Sequence, residues 1–368
     1  CKLPTITREQ RSVRNTQFKE LLDTYGITES RFQTTAQTIR DTTWVGHHLQ
    51  SHDTQAISKK LWIAYTRYVF GKAGLPRLKK WRDCRSIQGK SNQAVLIFKD
   101  GHLRWKKHRI PVLFNNTVWE NEALSHKTKY CGIVRRNIHG KTRWFVQLIQ
   151  AGRAPVKVVS PSKLGAIDAG PRHSAAVVDG GPSAYFPMVR ESVFPAILRE
   201  IASISRQMDR SRRATNSDNY NADGTIKRGI RLVWTESNRH RLLRDRLSEL
   251  NRRLETIRAQ EHGAISNKLL PLALHWRFEN LSYKAWQKTY GRSVGKYAPA
   301  GFLNLLSRKA ENAGGSITLL NPRLRLSQFD HSTGEYRKKP LSQRVHVLSD
   351  GTQVQRDIYS AFLALSVE

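Results

Sequence analysis

The charge balance constrains this chain more than any other feature. Its 368 residues hold 63 Lys and Arg against 29 Asp and Glu, a formal net charge of +34. Such an excess opposes compaction by self-repulsion unless a polyanion neutralises it. The basic residues run along the whole length rather than gathering in one tail. That distribution points to a long, enveloping contact with a phosphate backbone. A ribosomal-type or histone-like packing protein would satisfy the same charge, so composition assigns no activity. Hydrophobic residues make up 39% of the chain, enough for a core with little surplus. One large domain or two to three modest ones fit this length.

Other classes are not supported. Cys1, Cys84 and Cys131 lack CxxC spacing, which argues against a disulfide framework and a four-cysteine zinc site. Their scarcity fits a reducing compartment. No apolar run reaches the roughly 18 residues a membrane span needs. The chain opens at Cys1 with neither Met nor a signal-peptide pattern, and so reads as a fragment whose first segment is missing.

Residues 1–80 read as mainly helical, with Leu61, Tyr65 and Val69 on one apolar face. Gly74-Leu75-Pro76-Arg77-Leu78-Lys79-Lys80-Trp81 stops the last helix. Arg77, Lys79, Lys80 and Trp81 suit backbone contact and stacking, or equally a solvated basic turn. Two hairpins follow. Ala94 to Phe98 turns at Asp100-Gly101 into His102 to Trp105, and Tyr130 to Ile138 turns at His139-Gly140 into Thr142 to Ile149. They predict a small β-barrel or curved sheet whose aromatic residues mostly fill a core, leaving Arg104, Lys106 and Arg143 for phosphate. Leu164 to Ala169, Ser174 to Val178 and Tyr185 to Met188 form an antiparallel meander. Helical stripes then occupy 192–262, broken by a polar loop from Ser211 to Gly229. The second stripe carries Arg241, Arg244, Arg252 and Arg253 on its other face, either solvated or against nucleic acid. A strand ends at Glu279, another spans Ser316 to Leu320, and a terminal helix spans 357–366.

Three acids stand out by position. Asp168 closes an apolar strand before Ala-Gly, Glu279 ends another strand, and Asp357 opens the last helix. They lie 111 and 78 residues apart. Only a fold can gather them, and an RNase H-like fold does so by setting the first and fourth strands adjacent under the last helix. Carboxylates so gathered suit two Mg²⁺ ions about 4 Å apart, the arrangement that serves both oxygens of an in-line phosphodiester displacement. Each acid also has an ordinary reading. Asp-x-Gly occurs in turns, Asp357 suits a helix N-cap, and Glu279 suits an exposed strand end.

The chain resembles the TnpB family, transposon-encoded RNA-guided DNA endonucleases related to type V CRISPR effectors, from about residue 55 onward. Gly71 to Lys80 (GKAGLPRLKK) is similar to that family's Gly-x-Pro-Arg-Phe-Lys signature, with Leu78 in the Phe place. Gly165-Ala166-Ile167-Asp168-Ala169-Gly170 resembles the first RuvC motif and Phe278-Glu279-Asn280-Leu281 the second. Leu306 to Gly314 (LSRKAENAG), Asn321-Pro322 and Ser327-Gln328 resemble the segment beyond. Arg356-Asp357 resembles the third motif, although Tyr359 and Ser360 stand where Asn is expected.

The resemblance implies an α+β multidomain protein. Its parts are a helical recognition segment (1–92), wedge-like β-barrel strands (93–160) and RuvC-like parts at 161–191, 271–326 and 356–368. A helical insertion (192–270) and a degenerate zinc-ribbon insertion (327–355) lie between them. Asp168, Glu279 and Asp357 would hold two Mg²⁺ ions (or Mn²⁺ in vitro), and Lys309 and Arg356 join the nucleic-acid-binding set. The implied partners are a guide RNA encoded near the gene and target double-stranded DNA with a short flanking motif, in a prokaryotic, nucleoid-associated cytoplasmic setting. Base pairing would then read sequence while the protein holds backbone and shape. A repressor-like RNA-guided binder with little or no nuclease activity is the alternative. An RNA-independent transposase and an RNA-packaging protein fit less well. The usual zinc ligand places hold Asp330, Thr333, Val347 and Asp350, so zinc is expected to be lost. Asp330, His331, His346 and Asp350 offer a replacement set.

Overall fold

The computed structural model describes residues 8–78, 84–152, 160–190, 192–340 and 342–367, and the chain divides into two units, Cys1–Arg153 and Ala154–Glu368. The first unit opens with α1 (Arg8–Thr24), α2 (Glu29–Thr42) and α3 (Ser51–Val69). Thr28 caps α2 by accepting from the Arg31 amide at 3.3 Å, and Gln50 and Asp53 cap α3 reciprocally. Phe32 of α2 packs against Trp62 and Tyr65 of α3, with ring centroids 5.3 and 5.5 Å away. These large rings take the contact, so Leu61 is exposed and the expected Leu61–Tyr65–Val69 face is displaced. Gly71, at φ +66°, follows the end of α3 upstream of the expected Gly74–Pro76 stop.

The first unit continues with β1 (Ser86–Gln88), β2 (Leu96–Lys99), β3 (His102–Trp105), β4 (His108–Pro111), α4 (Val118–Ser125), β5 (Thr128–Ile138) and β6 (Lys141–Gln150). Asp100-Gly101 and His139-Gly140 all have positive φ, between +50° and +73°. Positive φ at both central positions belongs to the I′ turn that joins twisted strands, and both expected hairpins form. Val95, at φ +68°, breaks the extended run and delays β2 to Leu96. β4 joins β3, and β1 joins β5, giving two separately hydrogen-bonded sheets of three strands where a small β-barrel or curved sheet was expected. Leu96, Leu103, Cys131 and Ile133 form their buried core. Burial pushes the Cys131 thiol up to about 11, consistent with an inert core residue. β1 reaches only as far as Val134. The β5–β6 hairpin continues beyond it as a two-stranded ribbon that carries Trp144, which is exposed (66%) instead of filling the core; Phe145, opposite Val134, is exposed as well (41%).

The second unit begins with β7 (Leu164–Ala169), β8 (His173–Val178) and β9 (Ser183–Pro187), then α5 (Phe194–Thr215) and α6 (Asn238–Leu269). The expected loop at Ser211 starts later because α5 runs on to Thr215, and it lasts until Ser237 caps α6. Next come β10 (His275–Glu279), α7 (Tyr283–Tyr290), α8 (Arg292–Tyr297), α9 (Pro299–Asn312) and β11 (Ile317–Leu320). Two short hairpins, β12 (Phe329–Asp330) with β13 (Glu335–Tyr336) and β14 (Val345–Val347) with β15 (Gln353–Gln355), precede α10 (Arg356–Ser366). The five-stranded sheet has the order β11-β10-β7-β8-β9. β7, β8 and β9 are the expected antiparallel meander, while β10 runs parallel to both β7 and β11.

Alternation sorts this sheet into two faces. Ile167, Ala169, Trp276 and Phe278 enter the main core with residues of α5, α6 and α9, including Ile197, Leu254 and Phe302. Ala166, Ala175 and Val177 face α10. Gly165 pairs with Trp276, and a Cβ on Gly165 would meet the indole ring at 2.6 Å. No described helix is long and apolar enough to cross a membrane.

Candidate active site

β7 and β10 are parallel neighbours, with Ile167 opposite Phe278. One step further, Asp168 and Glu279 stand side by side at the same sheet edge. Both have the parity of Ala166 and Arg277, which points them to the α10 face. Arg277 fixes the other end of that helix by donating to the Leu365 carbonyl at 2.7 Å and to the Val367 carbonyl. The helix therefore runs back over the sheet and delivers its first turn to the strand ends. Gln355 caps it, accepting from the Ile358 amide at 2.7 Å. Asp357 is thus free of the capping role and lies in the first turn, where the helix dipole favours negative charge.

Asp168 is pushed up to about 8, first by burial, then by the charges of Asp357 and Glu279; Arg356 and Ser360 oppose the rise. Burial also raises Glu279. Tyr283, on α7, is pushed up to about 12 by burial and then by Asp168 and Glu279. Its buried hydroxyl has no hydrogen-bond partner among the described residues. Tyr185, on β9, is raised by burial and by Asp357 and Asp168, against the opposing charge of Arg344. Three carboxylates and two tyrosines thus share one strongly negative field. Arg344 Nη1 lies 3.9 Å from Asp357 Oδ2, and the Arg344 side chain is largely exposed.

The donors are hard oxygens, the chemistry of Mg²⁺ rather than of a softer metal. Among the described residues, no three Asp, Glu, His or Cys side chains stand close enough to hold one ion between them. Mg²⁺ keeps several waters and needs only one or two carboxylates, so the donor set still fits it.

Sequence reasoning missed Arg344, Tyr185, Tyr283 and Ser360. The fold brings Arg344, Tyr185 and Tyr283 to the acids, whereas Ser360 lies one turn beyond Asp357 on the same helix. The other expected contact residues divide by their bonding. Arg77, Arg104, Arg143 and Arg253 are exposed. Arg104 pairs across its sheet with Arg109, and Arg143 pairs with Arg136. Lys106 Nζ instead donates to the His48 carbonyl at 2.7 Å. Arg244 pairs with Glu236, Arg252 with Glu249 at 2.6 Å, and Arg241 bonds Asn238. Lys309 bonds Asn267, joining α9 to α6. Arg356 is buried and donates to the Pro340 carbonyl at 3.2 Å. Lys79, Lys80 and Trp81 lie outside the described residues.

The zinc ligand places do not assemble. Asp350 is exposed and accepts from the Thr352 amide at 2.8 Å, and Val347 is exposed. Asp330 turns to Ser332 and His346. Within the replacement set Asp330 and His346 pair with each other, while His331 bonds Tyr359 and Asp350 bonds Thr352, so no three of the four gather around one point among the described residues.

No protein-family model matches the chain, and no curated protein matches it in sequence. Its fold is similar to that of a chain in the cryo-EM structure of the Cas12f1–sgRNA–target DNA complex. The TM-score is 0.57 at 13% identity, covering 98% of this chain and 81% of that chain. That likeness is one of fold: a mixed α+β, multidomain chain with several sheets.

Proposed function

We propose that this chain is an RNA-guided DNA endonuclease whose RNase H-like, RuvC-type site comprises Asp168, Glu279 and Asp357. The observation that supports it is their convergence at one sheet edge, although they lie 111 and 78 residues apart in sequence. Charge and fold add to this. A +34 chain binds polyanions, and its fold resembles that of a protein chain solved with an sgRNA and target DNA.

Asp168, Glu279 and Asp357 would hold Mg²⁺ in pairs, as a two-metal site does. When bound there, the metal supplies Lewis-acid chemistry for phosphodiester hydrolysis. The protein's own share is positional. Arg344 stands beside Asp357 with an exposed guanidinium, placed to take a phosphate oxygen. Tyr185 and Tyr283 wall the carboxylates, and their raised pKa values keep both hydroxyls protonated as donors. Exposed Arg136, Arg143, Trp144 and Phe145 on the β5–β6 ribbon suit backbone contact and stacking. Guide RNA encoded nearby, a target-flanking motif and a transposon setting belong to this proposal through the family resemblance.

The test is cleavage of target DNA by protein copurified with its native flanking transcript. Asp168→Ala is expected to abolish Mg²⁺-dependent cleavage while leaving RNA binding nearly intact. Cleavage retained in that variant would remove the site assignment. Undiminished DNA cleavage by a preparation stripped of RNA would remove the guide. One observation favours the binding-only alternative: no three ligands are already gathered around one point among the described residues. Guide-dependent DNA binding without cleavage in the unaltered protein would establish that reading.

A further inference from the structure

The hairpins between β11 and α10 are too short to hold themselves. Their strands are two or three residues long, and isolated hairpins are marginal even at greater length. Small modules of this kind are usually stapled by a metal or a disulfide. Residues 327–355 contain no cysteine, and the zinc ligand places hold residues that do not gather.

A buried polar and aromatic network stands there instead. Asp330 and His346 are both buried, and His346 Nε2 lies 3.4 Å from Asp330 Oδ2. On the other side of the same ring, the Lys339 amine meets Nδ1. Lys339 carries no acceptor while charged, so Nδ1 accepts and Nε2 carries the proton, within ion-pair distance of Asp330 but not hydrogen-bonded to it. Asp330 Oδ1 accepts from the Ser332 amide at 3.0 Å and the Ser332 hydroxyl at 2.6 Å, and Ser332 Oγ in turn accepts from the Ser349 amide at 3.4 Å. These bonds lace one hairpin to the other.

Tyr359 then fastens both to α10. The His346 ring stacks on its phenol ring, with centroids 4.3 Å apart and planes inclined by 20°. The Tyr359 hydroxyl accepts from the His331 amide at 3.0 Å, leaving its own proton for His331 Nδ1 at 2.7 Å. Leu326, Phe329, Leu348 and Val354 complete the apolar contact with Tyr359 and Leu363. A zinc ion bound at His346 would have to displace the Lys339 ammonium or sit beside it, and like charges disfavour that.

We propose that residues 327–355 form a zinc-independent module, locked onto α10 by Tyr359, His346 and Asp330, with the Lys339 ammonium in the cation's place. This holds whether or not the chain cleaves DNA.

The test uses the full chain expressed in zinc-supplemented medium. Zinc content is measured by mass spectrometry, and hydrogen exchange of 327–355 is followed with and without a strong zinc chelator. The expected result is substoichiometric zinc and protection unchanged by chelation. His346→Leu and Tyr359→Leu are each expected to speed exchange in 327–355 by roughly tenfold or more, as buried hydrogen bonds and stacking are lost. Amides of β7 and β8 serve as the internal control for global unfolding. Tyr359→Phe keeps the stack and loses one hydroxyl, so its effect should be smaller than that of Leu. One zinc per chain, removed by chelation together with the protection, would overturn the proposal. So would unchanged exchange in both leucine variants.

Discussion

Asp168→Asn is expected to stabilise the metal-free protein, and to do so more at pH 8 than at pH 5. The folded chain raises the Asp168 carboxyl from 3.8 to about 8, through burial and the charges of Asp357 and Glu279. A group that holds its proton more tightly when folded favours folding at low pH and loses that advantage as pH rises through the folded value. Between pH 5 and pH 8 the unfolded carboxyl is already ionised, while the folded one is only beginning to ionise. The loss over that window is nearly three units at 1.36 kcal/mol each, about 4 kcal/mol. Water reaching the half-buried carboxylate screens this to about 1–3 kcal/mol. Asparagine cannot ionise and escapes the loss. At roughly 2–4 °C per kcal/mol for a unit of this size, the variant should melt several degrees higher at pH 8. Calorimetry of the full chain in a chelating buffer at both pH values measures the difference. Adding Mg²⁺ should raise the unaltered protein more than the variant, by mass action at the carboxylates. An equal or lower melting temperature for the variant at pH 8 would refute the reasoning, because the three charges would then not be coupled.

The remaining expectations concern single side chains. Arg344→Ala is expected to lower kcat for DNA cleavage by about 10²–10³, the range seen when one transition-state donor is removed, with little change in RNA affinity measured by filter binding. Gly165→Ala should cost about 1–3 kcal/mol in chemical denaturation, since its Cβ would meet the Trp276 ring at 2.6 Å and force β7 and β10 apart. Arg136→Ala and Arg143→Ala should each weaken nucleic-acid binding without regard to sequence. Each should also reduce the steepness of its dependence on salt by about one ion, read from titrations at several salt concentrations.

The positions of the three candidate acids were legible because local rules locate them. Apolar alternation identifies β7 and β10, and the polar residue at each strand end is conspicuous against it. Asp357 opens a helix whose other residues are mainly apolar. The I′ turns at Asp100-Gly101 and His139-Gly140 were equally local, and both hairpins follow from them. What failed depended on neighbours distant in the chain. Trp144 looks like a core residue in a strand, but it pairs with Arg135, beyond the β5 residues that β1 covers, and is left exposed. Leu61 lost its place to Trp62 and Tyr65 because Phe32, from another helix, selects the aromatic side. Arg344 and Tyr283 have no local pattern at all and acquire their setting only from the path of the chain around the sheet edge.

The site also resolves a tension in the composition. A +34 chain attracts phosphate everywhere, and attraction alone would hold nucleic acid without choosing a place to cut. Three carboxylates at one sheet edge create the opposite field, which repels phosphate until something positive intervenes. Burial and the charges of Asp357 and Glu279 raise Asp168, which favours a proton there. On the proposed reading, Asp168, Glu279 and Asp357 would hold a divalent cation in place of that proton, and its charge would make the locus attractive to phosphate. Cation binding and substrate placement would then be coupled at this edge, and Arg344, set 3.9 Å from Asp357, would give an incoming phosphate a positive group to meet. On this reading the basic surface would supply affinity, and the acidic edge would confine chemistry to one point on it.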